Sequence, residues 1–577
     1  MLTDTATRGN DRRMTVIAFC FTFGFTVIVS QLVRYQIFEH TRLEQEANYE
    51  RIRERELPAH RGFIVDIHGN PLAINGVQWN ISVSPPLIPD SKKEPLAYRL
   101  ANLLELPRDQ VYAALMADRP WVLLAIHVDQ KVGEAIMDIG VHGITCEPRP
   151  LRNYPEGSLF AHLVGFVNET GDGFYGVEGY YNPTLKGSPG KKLIEQDPAG
   201  YEIPIPSLAQ TSPQPGASLV LTVDRNIQTI IQEELERALE EFGAERGTVM
   251  VMNPRTGAIL ASYSVPAYDP NHFGEAAPSV LSDPAISGIW EPGSIMKVVT
   301  WGAGLDSGTI SPGTTFYDDG ALEVGGRVIY NWDRKGRGLV TMEEGLIQSL
   351  NTVAAFISTS MGTDRFYNYL RRFGFGATTG VDLASEEPGM MRQPGNSDWF
   401  PSDLGTNAFG QGIAVTPLQM ITAVAAVANH GVLMQPYIVH QFITQDENGQ
   451  EQVTQVEPMS VRGAISREAA DTLVQMMVTA VEREGYSKAR VTGYRIAGKT
   501  GTAQIPTAYG YHPTDTIASF VGFAPADDPQ FVILVRLDKP TASPWGTQTA
   551  APTFRAIAER LFVYLQIPPD EVRLAGQ

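Results

Sequence analysis

Apolar residues form one long uninterrupted block near the start of the chain. Residues 14–33 read MTVIAFCFTFGFTVIVSQLV, which is twenty residues without a charge. A helix of this length, at about 1.5 Å per residue, crosses a hydrocarbon core of roughly 30 Å. A cleaved signal peptide would have a shorter apolar run, of about 7–15 residues, and a small-x-small cleavage site that this block does not offer. The pattern therefore predicts an uncleaved transmembrane helix.

The arginines that flank this block do not decide its orientation. Three lie on each side at similar distances: Arg8, Arg12 and Arg13 before it, and Arg34, Arg42 and Arg51 after it. The numbers of positive charges on the two sides of the block are therefore equal and favour neither orientation. Because a long domain can cross a membrane regardless of its charge, we expect a cytoplasmic tail and a bulk that lies outside.

Beyond the block, polar and apolar positions predict shorter elements. Residues 34–55 are rich in Glu, Arg, Gln and Leu and predict an exposed helix. Residues 63–65 and 72–73 are short apolar runs on either side of a Gly-Asn turn, which predicts two strands. Residues 80–215 mix short strands and helices with much Gly and Pro. The stretch 207–216 (SLAQTSPQPG) predicts a linker.

A second unit follows this linker. Its predicted strands are 219–223, 247–252, 259–265 and 531–537, and its predicted helices are 225–242 and 553–565. The turn between the second and third strands (NPRTG) predicts a hairpin. Strands near both ends, with helices between them, predict one α/β unit over about residues 217–570.

Composition and charge narrow the function classes. The 577 residues exceed one ordinary domain, and 43% hydrophobic with 19% charged residues is typical of folded domains. A formal net charge of −19 argues against nucleic acid as a partner, because phosphate binding needs a basic face. Cys20 and Cys146 are too few for a disulfide scaffold or a four-cysteine zinc site. The histidines form no H-E-x-x-H or H-x-H motif, so no metal site is predicted.

Ser294 and Lys297 form the first motif that could carry chemistry. A Pro-Gly turn precedes Ser294, which predicts a helix that starts at the serine and carries both side chains on one face. A neutral lysine there could accept the serine proton, and the helix N-terminus would favour developing negative charge. Alone, S-x-x-K is a weak signal, because Ser188 and Lys191 fit it too, in a Gly/Pro loop.

Ser349 and Asn351 form the second motif. Residues two apart diverge by about 200° on a helix, so a joint role needs a break between two helices near residue 350. Thr341 and Glu344 give a capping-box pattern for the helix before that break. The alternative is two polar residues on a solvated helix face.

Lys499, Thr500, Gly501 and Thr502 form the third motif. Strand periodicity places the two threonines on one face, and the glycine leaves room for another backbone. Such an edge could pair with an extended peptide and offer hydroxyls to its carboxylate. The alternative is an ordinary turn.

Residues 493–500 (GYRIAGKT) also fit the phosphate-binding P-loop. A P-loop needs a buried strand before it and a helix after it. Residues 487–492 are polar and charged, and two prolines and a glycine soon follow the motif. This context argues against a nucleotide site.

The order S-x-x-K, S-x-N, K-T-G makes the three motifs specific, since it is the triple of penicillin-binding proteins and serine β-lactamases. The chain resembles the class B penicillin-binding proteins nearly throughout. Segments that resemble marks of that class are 61–73 (RGFIVDIHGNPLA), 152–155 (RNYP), 176–179 (GVEG), 410–412 (GQG) and 415–419 (VTPLQ). Residues 519–525 (SFVGFAP) look more like the division-type septal enzymes than the elongation type.

The resemblance implies a fold and a domain order. It implies an α/β (α+β) transpeptidase domain of the penicillin-binding and β-lactamase type, preceded by one transmembrane helix and an elongated mixed α+β pedestal. The predicted domains are a cytoplasmic tail (1–13), the transmembrane helix (14–33), a dimerisation-type pedestal (34–215) and the transpeptidase domain (216–577). It also implies a single-pass protein of the bacterial cell membrane with its bulk extracytoplasmic.

The resemblance further implies roles for four catalytic residues. Ser294 would attack the carbonyl of the penultimate D-Ala of a peptidoglycan stem peptide. Lys297 is the first candidate for the base, and Ser349 would relay protons with Lys499 nearby. D-Ala would leave, and an amine of a neighbouring stem peptide would resolve the acyl-enzyme into a crosslink. No cofactor is implied, and β-lactam antibiotics would acylate the same serine.

Substrate binding is implied for the other motif residues. Backbone N–H groups of Ser294 and Thr502 would form the oxyanion hole. Asn351 would hold a substrate amide, and the strand Thr500-Gly501-Thr502 would bind the terminal carboxylate. Alternative functions are an elongation-type transpeptidase, a D,D-carboxypeptidase, a β-lactamase and a non-catalytic division scaffold.

Partners are implied as well. A crosslinking enzyme without its own glycosyltransferase domain would need a membrane glycosyltransferase of the shape, elongation, division and sporulation family, together with other divisome proteins. Contacts are predicted through residues 14–33, where Gly24 permits close helix approach, and near residues 61–73. The alternative is that Arg61 and Asp66 only pin a hairpin.

Overall fold

The structure is a computed structural model that describes residues 4–44, 52–196, 202–203, 210–446, 448–483, 488–507 and 510–575. Its strands are β1 Ile52–Leu57, β2 Ile64–Val65, β3 Pro71–Val83, β4 Val122–Val128, β5 Ile144–Asn153, β6 Phe166–Val167, β7 Gly173–Phe174, β8 Gly190–Gln196, β9 Glu202–Ile203, β10 Gln210–Thr211, β11 Ser218–Leu221, β12 Arg246–Met252, β13 Ile259–Val265, β14 Thr315–Asp318, β15 Ala321–Val324, β16 Arg327–Tyr330, β17 Gly338–Thr341, β18 Met390–Met391, β19 Ile413–Ala414, β20 Val432–Met434, β21 Val439–Gln445, β22 Glu451–Gln455, β23 Ser460–Gly463, β24 Ala497–Thr507, β25 Gly510–Ala524 and β26 Phe531–Asp538.

The helices complete the inventory of elements. The α-helices are α1 Asp4–Val33, α2 Asp90–Leu104, α3 Arg108–Leu115, α4 Gln130–Met137, α5 Ala161–Val164, α6 Gly176–Tyr180, α7 Asn182–Lys186, α8 Arg225–Phe242, α9 Pro278–Leu281, α10 Pro284–Ser287, α11 Lys297–Asp306, α12 Met342–Ile347, α13 Asn351–Met361, α14 Thr363–Arg372, α15 Asp403–Thr406, α16 Pro417–Ala428, α17 Arg467–Glu482, α18 Ala550–Tyr564 and α19 Asp570–Leu574. A π-helical turn lies at Arg34–Phe38, and 3₁₀ turns lie at Pro85–Leu87, Gly157–Phe160, Pro270–Glu275, Gly293–Met296 and Asn407–Phe409.

Contacts divide the chain into two units, of which the first comprises Met1–His60 and Gly187–Gly216. Within it, the helical stretch Arg13–Phe38 is long and apolar enough to cross a membrane. A small antiparallel sheet has the strand order β1-β8-β10, and β9 also pairs with β8. Part of the predicted linker is thus strand β10, while residues 207–209 lie outside the described residues.

The predicted exposed helix over residues 34–55 is wrong at its end. Residues 34–38 and 40–44 are helical, residues 45–51 lie outside the described part of the chain, and Ile52–Leu57 is strand β1. β1 pairs with β8 in unbroken antiparallel register from Ile52↔Glu195 to Leu57↔Gly190. This pairing overrides the helix propensity of the Arg/Glu sequence, which is worth only a few tenths of a kcal/mol per residue.

The second unit comprises Arg61–Lys186 and Ala217–Gln577, and its centre is a five-stranded antiparallel sheet in the order β13-β12-β26-β25-β24. Successive residues of β12 point to opposite faces. Val249 and Val251 join an apolar core with α8 and α18, and Met250 and Met252 join a larger core with α11, α13, α16 and α17. The predicted α/β unit is confirmed, and so is its hairpin.

The same unit contains a second sheet with the strand order β22-β21-β11-β2-β3-β4, and β5 also pairs with β3. The predicted strand–turn–strand is confirmed as β2, a turn and β3. Asp66 is fully buried in this turn. Its carboxylate accepts N–H groups of His68 (2.9 Å), Asn70 (2.7 Å) and Arg225 (3.2 Å). Asp66 therefore pins the hairpin, as the alternative interpretation has it.

Arg61 also has a structural role. Its guanidinium and that of Arg152 both bind the carboxylate of Glu178, and the side chain of Glu178 has no exposed surface. Nε–O distances are 2.7 Å for both arginines. Arg61 also donates to Asn182 Oδ1 at 2.9 Å. The resemblance marks 61–73, 152–155 and 176–179 thus meet in one buried ion cluster.

This cluster gives a stability prediction. Glu178→Gln leaves two buried guanidinium groups without a counter-charge, so we expect a loss of roughly 3–5 kcal/mol in the free energy of unfolding. Glu156→Gln is the matched control, because its pair with Arg225 is much more exposed and is expected to contribute at most about 1 kcal/mol. Urea unfolding of the detergent-solubilised variants measures both, and equal losses would contradict the prediction.

Candidate active site

Two glycines, one in the turn that carries Ser294 and one packed against it, shape this turn. Ser294 lies in a 3₁₀ turn, Gly293–Met296, that leads directly into α11, so the predicted helix start is confirmed with a tighter first turn. Gly293 (φ 57°) donates its N–H to the carbonyl of Gly410 at 3.1 Å. A Cβ on Gly410 would lie 2.2 Å from the carbonyl oxygen of Gly293. The GQG segment is therefore needed where it packs against the Ser294 turn.

The predicted break between two helices is confirmed. α12 ends at Ile347 and α13 begins at Asn351. Between them Ser349 adopts a left-handed conformation (φ 55°), which is strained for a residue with a side chain. Thr341 caps α12 by accepting the N–H of Glu344. The break lets the carbonyl and the hydroxyl of Ser349 both face Lys297.

The third motif is part of an edge strand. Residues 499–502 lie within β24, which pairs with β25 and forms one edge of the central sheet. This excludes the turn, and it excludes the P-loop because Lys499 and Thr500 lie inside a strand. A Cβ on Gly501 would lie 2.3 Å from Ser519 Oγ and 3.0 Å from Ile295 Cγ2. Glycine is required there because the Ser294 turn packs against this strand.

The three motifs meet around the amine of Lys297. Its Nζ lies 3.1 Å from Ser294 Oγ and 3.1 Å from Ser349 Oγ. It also lies 2.7 Å from the carbonyl oxygen of Ser349 and 2.8 Å from Asn351 Oδ1. Lys499 Nζ lies 3.1 Å from Ser349 Oγ. A continuous set of contacts therefore runs from Ser294 through Lys297 and Ser349 to Lys499.

Burial disfavours the charged form of both lysine side chains. Lys297 has no exposed surface, and burial together with the charge of Lys499 holds the pKa of Lys297 well below its usual value. Burial lowers the pKa of Lys499 to about 7. Among the described residues, no carboxylate is a hydrogen-bond partner of either amine. The neutral form of Lys297 is therefore favoured, and a neutral amine can act as a base.

Hydrogen-bond roles decide where the lone pair of a neutral Lys297 points. A neutral amine has two N–H groups and one lone pair. The carbonyl of Ser349 and the amide oxygen of Asn351 can only accept, so they take the two N–H groups. The lone pair is left for a hydroxyl proton, which Ser294 or Ser349 can donate. This geometry suits proton abstraction from Ser294 Oγ.

The substrate-binding candidates lie around the same centre with protein partners of their own. Asn351 Nδ2 donates to the carbonyl of Tyr330 at 3.0 Å. Thr502 Oγ1 accepts the N–H of Gly546 at 3.1 Å. Thr500 Oγ1 lies 3.5 Å from Lys499 Nζ. The roles of these side chains toward substrate stay predictions.

Sequence reasoning missed several residues of this region. Glu291 is half-buried three positions before Ser294, and its carboxylate accepts the N–H of Gly412 at 2.8 Å and the O–H of Tyr511 at 2.9 Å. Burial raises the pKa of this carboxyl. The rings of Trp332 and Trp545 meet edge to face, with centroids 5.4 Å apart. These contacts join distant segments, so no local spacing could have predicted them.

The two lysines give a prediction about pH. Since the charge of Lys499 lowers the pKa of Lys297, Lys499→Met should raise that pKa. Acylation by penicillin needs a neutral Lys297. The acid limb of the pH profile, where the acylation rate falls because Lys297 becomes protonated, should therefore move to higher pH in this variant. Second-order acylation constants between about pH 5 and 9 measure the limb. Lys186→Met, which changes an exposed lysine, is the control. A limb that stays in place in Lys499→Met would contradict this coupling.

A serine beside a buried lysine with a lowered pKa, facing the edge strand of a helix-covered sheet, defines a serine acyltransferase of the penicillin-recognising fold. Residues 247–559 match the family model of the penicillin binding protein transpeptidase domain, and residues 56–221 match that of the penicillin-binding protein dimerisation domain. The chain belongs to this family. It is a class B penicillin-binding protein with a serine transpeptidase domain.

Known relatives support this assignment, and their alignments with this chain cover most of their length. The chain is 31% identical to stage V sporulation protein D of Bacillus subtilis over 93% of this chain and 83% of that protein. It is 30% identical to the probable peptidoglycan D,D-transpeptidase PbpC of Pseudomonas aeruginosa over 97% and 96%. The structure of penicillin binding protein 3 of Mycobacterium tuberculosis with aztreonam is 26% identical and covers 89% of this chain and 98% of its own, with a TM-score of 0.68. The predicted fold class is confirmed.

Proposed function

We propose that this protein crosslinks peptidoglycan during septal cell-wall synthesis through an acyl-enzyme on Ser294. The observation that carries the proposal is the contact of Lys297 Nζ with Ser294 Oγ at 3.1 Å, in a buried site that favours the neutral amine. The division-type role is supported by the resemblance of the segment 519–525 to the septal enzymes; residues 519–524 lie in β25 beside the K-T-G strand.

The geometry of the site supports the following course of acylation. Lys297 takes the hydroxyl proton of Ser294 as Oγ attacks the carbonyl carbon of the penultimate D-Ala. Backbone N–H groups of Ser294 and Thr502 stabilise the oxyanion. The C–N bond then breaks, and the proton passes to the leaving D-Ala nitrogen from Lys297 or through Ser349. Thr500 and Thr502 bind the terminal carboxylate near Lys499, and Asn351 holds a backbone amide of the donor peptide.

Deacylation completes the crosslink. An amine of a neighbouring stem peptide attacks the Ser294 ester, and the same lysine and serine accept its proton. The new amide forms as Ser294 Oγ regains a proton, so the enzyme returns to its starting state. No carboxylate is a hydrogen-bond partner of Lys297 among the described residues, which supports transfer to an amine over activation of water as in a β-lactamase.

The test of this function is the product that the purified protein forms. With nascent peptidoglycan, we expect release of D-Ala together with crosslinked stem-peptide dimers, and penicillin should block both. Fluorescent penicillin should label the protein under the same conditions. D-Ala release without dimers would indicate a carboxypeptidase, steady hydrolysis of penicillin would indicate a β-lactamase, and absence of labelling would indicate a scaffold.

We further propose a membrane anchor and a membrane partner. The apolar stretch Arg13–Phe38 supports anchoring, and Gly24 has nothing within 4 Å of an added Cβ, so another helix could approach closely there. The partner is a glycosyltransferase of the shape, elongation, division and sporulation family, in company with other divisome proteins. Near residues 61–73, Arg61 and Asp66 are occupied by internal contacts, whereas Phe63 is 50% exposed and available.

Replacing residues 14–33 with an unrelated apolar helix tests the partner. Penicillin labelling should survive, because the motif residues are unchanged. Co-purification with the glycosyltransferase should fall sharply. If it does not, the helix is only a tether. A Phe63→Ser variant tests the second contact in the same assay.

A further inference from the structure

Residues 315–341, from β14 to β17, form an arm beside the S-x-N turn. The arm holds this turn at both ends. After the turn, Asn331 Oδ1 accepts the N–H of Asn351 at 3.0 Å. Before it, Arg337 Nε donates to Gln348 Oε1 at 2.9 Å. The residues of the turn that contact Lys297 are thus placed by the arm.

We propose that Asn331, oriented by Asp318, is a positioning residue of the catalytic centre that fixes the direction in which Asn351 presents its amide oxygen to Lys297. The inference rests on the proposed role of Lys297 as the base. Neither Asn331 nor Asp318 belongs to the three motifs.

The start of α13 depends on Asn331 for its cap. The residue at its own N-cap position is Leu350, which has no side-chain acceptor. Asn331 Oδ1 takes that place from another segment, and accepts the N–H groups of Asn351 (3.0 Å) and Thr352 (3.3 Å). Helix caps usually come from the adjoining residue, so this cap couples α13 to the arm.

Asn331 has one possible orientation. Its Nδ2 donates to both carboxylate oxygens of Asp318, at 3.1 and 2.8 Å, and to the carbonyl of Lys335 at 3.1 Å. Because these partners only accept, the nitrogen must face them and the oxygen must face α13. Asp318 also accepts the hydroxyl of Thr352 at 2.8 Å. Asp318, Asn331 and Thr352 are almost completely buried.

The hydrogen bonds of Asn351 connect Asn331 to Lys297. Its N–H is held by Asn331, and its Nδ2 is held by the carbonyl of Tyr330 at 3.0 Å. With its nitrogen committed, its Oδ1 faces Lys297 Nζ at 2.8 Å. This bond and the bond to the carbonyl of Ser349 fix both N–H groups of a neutral Lys297. The lone pair then points at a hydroxyl only while Asn351 stays in place.

The experiment compares three variants in their acylation by penicillin. Asn331→Asp keeps an oxygen for the cap but places a second carboxylate against Asp318, so we expect acylation to fall at least about tenfold. Asn331→Ala removes the cap and should cost roughly a hundredfold, the scale of a small misplacement in a catalytic site. The double variant Asp318→Asn/Asn331→Asp exchanges the two groups and restores a donor between them. Because the exchanged carboxylate also faces the carbonyl of Lys335, which loses its donor, the double variant should recover only part of the rate that Asn331→Asp loses.

The pH profile separates positioning from folding. An amide oxygen at Nζ favours the charged amine, so its displacement lowers the pKa of Lys297 further. Lys499, whose charge also lowers the pKa of Lys297, is unchanged in these variants. The acid limb of acylation should therefore move to lower pH in Asn331→Ala, which removes the cap without adding a charge, opposite to the shift expected for Lys499→Met. A merely structural role would lower the yield of active protein and leave the limb in place.

Thr352→Val and Thr553→Val complete the test. Both remove a hydroxyl from a buried helical threonine, but only Thr352 contacts Asp318, while Thr553 bonds within α18. Thr352→Val should slow acylation several-fold and Thr553→Val should not. The proposal is overturned if folded Asn331→Asp and Thr352→Val acylate at the wild-type rate. It is also overturned if the loss occurs without a shifted limb or without recovery in the double variant. Loss of labelling in wild type would instead refute the proposed function.

Discussion

Replacing Ser294 with alanine is expected to abolish covalent labelling by penicillin. Ser294 starts the helix that carries Lys297, and its Oγ lies where the lone pair of the neutral amine can take a proton. Intact-mass spectrometry of wild type should show one adduct, and peptide mapping should place it on Ser294. The Ser294→Ala variant should show none while its thermal midpoint stays near that of wild type.

Two other serines provide the controls. Ser188 fits S-x-x-K in the sequence, but it lies next to strand β8 and pairs with Gln214 through backbone hydrogen bonds. Ser188→Ala should therefore label fully. Ser349 Oγ is as close to Lys297 Nζ as Ser294 Oγ is, at 3.1 Å. An adduct that survives in Ser294→Ala, on Ser349 above all, would contradict the assignment of Ser294 as the nucleophile.

Replacing Lys297 with methionine is expected to slow acylation at least about a hundredfold, the usual scale for loss of a general base. Methionine fills most of the buried volume of the lysine, so the protein should fold. What is lost is the acceptor for the Ser294 proton. Stopped-flow acylation with a chromogenic β-lactam measures the rate, and thermal unfolding checks the fold.

Lys499→Met is the comparison that assigns the base. Lys499 Nζ contacts Ser349 Oγ but is not a hydrogen-bond partner of Ser294 in the described structure. Its loss should slow acylation less than the loss of Lys297 and should shift the pH profile as described above. Unchanged acylation in Lys297→Met would move the role of the base to Lys499.

Local patterns in the sequence were sufficient for several elements. The apolar block predicted the part of α1 that is long and apolar enough to cross a membrane, and the 3.6-residue periodicity predicted α8 over residues 225–242. The break near residue 350 followed from helix geometry alone, because two residues of a helix two positions apart cannot share a target. The order of the three motifs was enough to indicate the family, which the family models confirm.

Other elements depended on partners far away in the chain. Ile52–Leu57 has a helix-forming composition but becomes a strand because β8 pairs with it. Arg61 looked like a candidate for contact with a partner, yet it is held by Glu178, more than a hundred residues later. Local propensity is weak compared with a full set of interstrand hydrogen bonds or a buried ion pair.

The sequence by itself determined which residues are available for chemistry, because motif spacing depends on elements that form locally. Only the tertiary structure decided the state of those residues. The lowered pKa of Lys297 comes from its burial and from Lys499, 202 positions along the chain. The direction of its lone pair comes from Ser349 and Asn351, and the position of Asn351 comes from Asn331. Desolvation and hydrogen-bond direction are properties of the packed core, so they cannot be predicted from residues that are neighbours in sequence.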